Sequence, residues 1–214
     1  MKKAFPWLRN KRGLLSNGGV TLRGEKVIIR EKRLEDVDCD YAWRTDEGLS
    51  RLDATRPVSM SYKDFLRYSR EEMAYGTFSS HRLAIDTLNG QHIGNCMYYD
   101  IDTKLRQAEL GIMIGDRGYW GKGYGTDSVV LLLHHIFTAT PLTRIYLHTL
   151  DWNHRAMRSF SKAGFREVNN VRRSGLEFVQ MEITKADWQG RRDNRGKRLP
   201  TVKEKPQQID RNKK

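Results

Sequence analysis

Cysteine is scarce: Cys39 and Cys96 are the only two in 214 residues. Two unpatterned cysteines build no disulfide framework, and both are expected as reduced, partly buried thiols. Neither they nor the six histidines fall at ligand spacing, so no metal is expected; His134 and His135, adjacent on a predicted helix, point in different directions. No apolar run approaches the length that crosses a bilayer, and the short one at residues 4–8, set between Lys3 and Arg9, is too brief for a signal peptide. The chain also lacks internal repeats. A protein that works in the cytoplasm, without membrane or metal, is what these absences leave.

Basic residues are plentiful, giving a net charge of +13, but they are unevenly spread. Residues 1–13 carry five Lys or Arg and no acid, and residues 190–214 carry ten against three acids, leaving the body near +1. A nearly neutral domain with two basic arms differs from a basic domain. The division expected is a basic N-terminal arm at 1–23, one domain at 24–187, and a basic, disordered C-terminal tail at 188–214. Such arms serve solubility, or dock the protein on an acidic surface such as ribosomal RNA. With 38% hydrophobic and 10% aromatic residues, the body has the composition of one well-buried globular domain.

Periodicity predicts strands at 26–31, 81–86, 92–100, 107–115 and 144–150, with helices at 34–43, 61–75, 126–137 and 153–165. Asn89-Gly90 is a hairpin signal, and a final hairpin is expected at 165–184 about Ser174-Gly175. This order predicts a single α/β domain built on a mixed, mostly antiparallel central sheet flanked by helices.

The segment after the strand at 107–115 is the most telling. Gly118, Gly121, Gly123 and Gly125 crowd a short loop, where glycine lets backbone N–H groups approach a ligand without Cβ interference. A helix follows, with Thr126 or Asp127 placed to cap its first turn. Loop amides and the helix's positive end converge on one spot, which suits a pyrophosphate. No Lys-Ser or Lys-Thr follows the last glycine, which excludes a P-loop, and the Gly-x-Gly-x-Gly spacing fits a dinucleotide fingerprint poorly.

Trp120-Gly121-Lys122-Gly123-Tyr124-Gly125 resembles the acetyl-CoA pyrophosphate loop of the GNAT superfamily of N-acetyltransferases, whose pattern is Gln/Arg-x-x-Gly-x-Gly/Ala. Trp120 stands where that pattern has Gln or Arg, a departure familiar in the branch of ribosomal-protein N-terminal and spermidine acetyltransferases. A second block, from Asn153 through Ala156, Phe160, Lys162 and Gly164 to Phe165, resembles the family's Asn-x-x-Ala-x-x-x-Tyr-x-Lys-x-Gly-Phe segment. The resemblance implies a GNAT-like domain with acetyl-CoA as cosubstrate. It assigns the pyrophosphate to Trp120, Gly121, Lys122, Gly123, Tyr124, Gly125 and Thr126. The backbone of Ile112, Met113 and Ile114 is assigned to the pantetheine and acetyl carbonyl, and Asn153 and Phe160 to the pantetheine arm. Phe160 replaces the tyrosine whose phenol is often proposed to protonate the departing thiolate, so that proton is expected from water, Ser159 or Ser161, with Ser159 turned elsewhere by helical geometry.

Amide formation from a thioester needs a neutral amine, a route for its proton and donors for the developing oxyanion. Glu109, in the strand before the loop, is the first candidate for the proton acceptor, with an ordinary exposed strand acid as the competing reading. Asp46, Glu47, Asp53, Glu71 and Glu72 are candidates to attract a cationic amine, or are solvated helix acids. The branch resembled implies the α-amine of a protein N-terminus as acceptor, with a polyamine or aminoglycoside as the alternative. A non-catalytic acetyl-CoA-binding module docked on RNA by its arms, and a homodimer, stay open.

Overall fold

The computed structural model describes residues 20–75 and 79–194, so most of both basic arms lies outside the described residues. One sheet of eight strands forms the frame: β1 (Thr21–Arg23), β2 (Val27–Glu31), β3 (Ser80–Thr87), β4 (His92–Asp102), β5 (Gln107–Ile114), β6 (Arg144–Leu150), β7 (Arg166–Arg173) and β8 (Leu176–Thr184). Their order is β1-β2-β3-β4-β5-β6-β8-β7. Every neighbouring pair is antiparallel except β5 and β6. The helices are α1 (Val37–Thr45), α2 (Glu47–Leu52), α3 (Tyr62–Tyr75), α4 (Tyr124–Ala139), α5 (His154–Ala163) and α6 (Lys185–Asn194). None among the described residues is long and apolar enough to cross a membrane.

The core lies between the sheet and α4. Val129, Leu132, Leu133, Ile136 and Phe137 recur at helical spacing along α4 and are buried, against Ile29, Ile85, Ala108, Ile145 and Leu147 from four strands. Each such side chain contributes roughly 1.5–3 kcal/mol on burial, so this one helix fastens the strands from both halves of the sheet. The predicted elements recur within a residue or two. Asn153 caps α5 by accepting from the Ala156 N–H at 3.3 Å, and Gly164 ends it at φ +116°.

Three elements depart from the sequence reading. Thr21–Arg23 pairs with β2, so the sheet begins inside the stretch assigned to the N-terminal arm; three residues are too few for a periodicity. Helix α2 falls in a stretch assigned no element and is started locally by Asp46, which accepts from the Leu49 N–H at 2.8 Å. Helix α6 runs past residue 187 into the stretch expected to be a disordered tail. Its Trp188 is buried against Phe137, with ring centroids 5.5 Å apart, and this tertiary contact outweighs the weak helix propensity of Gly190 and its neighbours. Cys39 and Cys96 are both free thiols.

A buried ion network ties the start of α1 to the sheet. The Arg30 guanidinium on β2 bonds Asp86 on β3 at 2.6 and 2.9 Å and Asp36, just before α1, at 2.8 and 2.7 Å. Burial pushes the Asp36 carboxyl up, but Arg30, helped by the Arg33 backbone N–H, outweighs it and holds the group at about 2. Because the folded value lies below the unfolded one, this contribution is complete above about pH 4 and is lost as pH falls toward 2. Urea midpoints should therefore fall over that window by the equivalent of about 2 kcal/mol, and Asp36→Asn, less stable at neutral pH, should lose that part of the pH dependence.

Candidate active site

Strands β5 and β6 run parallel through three pairs only, Gln107↔Arg144, Ala108↔Ile145 and Glu109↔Tyr146. Beyond Glu109 they part, while β5 keeps its ladder with β4 out to Ile114. The gap opens a cleft of about 300 Å³. Ile112, Met113 and Ile114 form one wall; Trp120, Gly121, Gly123, Gly125 and Thr126 stand at its mouth; Asn153, Ser159 and Phe160 come from α5, and Leu49, Leu52 and Asp53 cover it from α2.

The mouth has the build of an anion seat. Gly123, at φ +88°, is the N-cap of α4 and brings no side chain to its amides. The predicted caps are otherwise engaged. Asp127 turns back to accept from the backbone N–H groups of Glu25, Lys26 and Val27 in the β1–β2 turn, at 2.8–3.3 Å. Thr126 Oγ1 meets Ser159 Oγ at 2.9 Å. The first-turn amides and the helix dipole thus face the cleft without a side-chain partner. Gly121, also at positive φ, has no heavy atom within 4 Å of where its Cβ would sit. Arg155, Arg158 and Lys162 line the same cleft from α5. Uncapped amides, open space and three cations fit a pyrophosphate, and the β5 wall offers an extended backbone to an amide-bearing arm.

Of the predicted residues, Lys122, Tyr124 and Glu109 do not line the cleft. Lys122 turns its ammonium onto the Gly118 carbonyl at 2.7 Å. Tyr124 packs edge-on against Tyr119, under Lys26. Trp120 replaces the pattern's Gln or Arg with an indole N–H that donates to the Ile114 carbonyl at 2.6 Å, under the Arg155 guanidinium 3.4 Å above its ring. Phe160 is buried against Phe165. Ser159, expected to point away, lines the cleft; Ser161 bonds back to the Met157 carbonyl at 3.0 Å.

Glu109 sits at the last paired rung, where the strands part, and it is buried instead of being an exposed strand acid. Its Oε1 lies 2.9 Å from His148 Nδ1, and Arg173 Nη2, from the end of β7, lies 3.1 Å from His148 Nε2. Tyr99 stands opposite Glu109 on β4. Burial, with the Glu109 charge second, pushes the phenols of Tyr99 and Tyr146 up, so both stay protonated at neutral pH. Guanidinium has no acceptor, so His148 Nε2 accepts and its proton resides on Nδ1, donated to Glu109. None of Tyr99, His148 and Arg173 was found from sequence. Tyr146 and His148 share a strand parity, but which face Glu109 shares with them depends on the β5–β6 register, which no local pattern encodes.

Of the predicted acceptor acids, Asp53 lines the cleft and pairs with Arg44 at 3.0 Å. Asp46 pairs with Arg117 at 2.7 Å, and Glu72 with Arg82 at 3.0 Å. No group of three or more His, Cys, Asp or Glu among the described residues is arranged to hold a metal ion.

Comparison with known proteins agrees with this geometry. The chain is 25% identical over 179 residues to an uncharacterized N-acetyltransferase, p20, of Bacillus licheniformis, covering 79% of this chain and 99% of that one. It is 28% identical over 165 residues to the human alpha/beta-tubulin-N-acetyltransferase 9, covering 71% and 78%. The fold resembles that of the Vibrio cholerae spermidine N-acetyltransferase solved with CoA and spermine, with a TM-score of 0.68 at 18% identity over 76% of this chain and 98% of the other. A family model for the acetyltransferase (GNAT) domain matches residues 26–166. That span takes in the parted strands, the anion seat and helix α5 together, and by it the chain belongs to the GNAT acetyltransferase family.

Proposed function

We propose that this acetyl-CoA-dependent N-acetyltransferase acts on the α-amine of a protein N-terminus. The observation that carries the reading is that Asp53, the candidate acid that lines the cleft, is paired with Arg44; Asp46 and Glu72 have arginine partners as well, and Glu47 and Glu71 are exposed outside the cleft lining. A polyamine presents several ammonium groups in a row and is best matched by a row of uncommitted carboxylates. A peptide N-terminus presents one amine beside uncharged backbone, and one committed proton path serves it. The tubulin acetyltransferase among the relatives, named for a protein target, favours the same class. A polyamine acceptor is the second reading, favoured by the fold shared with the spermidine enzyme; an aminoglycoside stands behind it.

Bound acetyl-CoA supplies a thioester carbonyl open to attack by an amine. The uncapped amides of α4, with Gly121 and Gly123, hold the pyrophosphate, and Arg155, Arg158 and Lys162 add positive charge along its path. Residues 112–114 align the pantetheine arm toward the rung at Glu109, and Asn153 and Phe160 shape the opposite wall. Phe160 has no proton to give, so a hydroxyl or water serves the leaving sulfur; Ser159 lines the cleft for that purpose. Glu109 belongs to the proton path of the amine. The basic arms add an RNA-facing surface, ribosomal RNA being the acidic partner suggested by the branch resembled, and a cytoplasmic location suits such a partner.

Thiol release measured with N-terminal peptides, spermidine, spermine and aminoglycosides tests the acceptor: turnover confined to peptides is expected, and turnover confined to polyamines would replace the reading. Gly123→Trp places an indole at the seat and demands positive φ of a bulky residue; calorimetry should find no acetyl-CoA binding, and wild-type affinity would remove the loop from the site. Glu109→Gln should lower turnover about 10-fold or more with CoA affinity within about twofold of wild type.

A further inference from the structure

We propose that His148 is the group that takes the proton from the acceptor amine, with Glu109 as the positioning residue that fixes its ring. The inference deepens the reading above and rests on acetyl transfer to an amine. The imidazole and the carboxylate are both buried, with side chains 7% and 11% exposed, and they sit 2.9 Å apart. Glu109 is engaged by the Nδ1–H of His148, and Tyr99 stands opposite it on the neighbouring strand. A carboxylate so occupied orients a neighbour better than it collects a new proton. The imidazole is the reverse case. Its Nδ1 is fixed, so its one free lone pair is on Nε2, and the partner observed there is the Arg173 guanidinium of an exposed side chain. A positively charged N–H donor thus already stands 3.1 Å from the basic nitrogen. An acceptor ammonium is another donor of that kind, and Arg173, on the tip of the terminal hairpin, is free to yield its place.

The proton bookkeeping closes. The ammonium gives one proton to Nε2, leaving a neutral amine and an imidazolium whose second N–H stays on Glu109. The amine nitrogen bonds the thioester carbon as the C–S bond breaks, and its surplus proton goes to the departing sulfur through water or Ser159. The imidazolium then returns its proton to solvent. Tyr99, Tyr146, Glu109 and Arg173 are the titratable groups around the ring, with Asp53 and Asp100 acting on the same cluster through Tyr99. The tyrosines remain O–H donors throughout.

The experiment uses the full chain with the amine that wild type acetylates. His148→Ala should lose about 100-fold in kcat while calorimetric CoA affinity stays within about twofold, and added imidazole should restore turnover about 10-fold. His148→Gln, closer in volume, should lose a similar factor. A loss below about threefold, or one that imidazole leaves unchanged in a variant that still binds CoA, overturns the assignment. Ring-nitrogen NMR on 15N-histidine protein gives a readout independent of turnover. Wild type should hold His148 as the Nδ1–H tautomer, and Glu109→Ala should release it to a mixture; Nε2–H in the wild type overturns the assignment too. A wild type that acetylates no amine sinks the acceptor reading, and the tautomer then decides the role of His148 separately.

Discussion

Three rungs of parallel ladder between β5 and β6, and their end at Glu109, set the geometry on which the site depends. Backbone N–H and C=O groups demand partners wherever they are withdrawn from water. By keeping β4 on one edge of β5 and removing β6 from the other, the sheet leaves the far edge of β5 beyond Glu109 without a strand partner among the described residues. An extended ligand with amides of its own is the natural complement. Indole N–H of Trp120 takes one of these carbonyls, at Ile114, and thereby pins the glycine loop to the end of the strand whose edge it extends.

Two kinds of fastening keep the gap from closing or wandering. On one face α4 packs across strands from both halves of the sheet. On the other, the Arg30 network holds the start of α1, and α2 is carried over the cleft behind it. Trp43 of α1 lies flat on Gly115, where a Cβ would come within 2.1 Å of its ring, so the helix seats directly against the chain at the end of β5. The engagement of Asp127 with the β1–β2 turn belongs to the same logic. It stabilises an edge strand of three residues and, at the same time, keeps a carboxylate away from the uncapped first-turn amides of α4.

Most of the frame was legible because it is local. Alternation marked the strands, helical spacing marked α4 and α5, and Asn89-Gly90 and Ser174-Gly175 marked the tight turns. The glycine loop proposed to seat the pyrophosphate stood out for a similar reason, since its signal is a set of closely spaced glycines followed by a helix. The missing pieces are those decided at long range. Trp188 turns part of an apparent tail into a helix by burying against α4. Tyr99, His148 and Arg173 gather around Glu109 from three other strands, and no spacing within the sequence announces that meeting. Caps were misjudged for the same cause: Thr126 and Asp127 have the right residue types, but distant partners on α5 and in the β1–β2 turn claim them.

The terminal hairpin carries one further consequence. Its loop is two residues, Ser174 and Gly175, both at positive φ, between the paired ends Arg173 and Leu176, the geometry of a type I′ turn. Strand side chains alternate faces, so lengthening that turn or slipping its register by one residue would carry Arg173 to the opposite side of the sheet. Turns at a sheet's edge are where chains most readily accept insertions. The charge standing over a buried imidazole is therefore written in a surface turn, and the surroundings of His148 can drift through changes in loop length without any substitution at the imidazole or at Glu109.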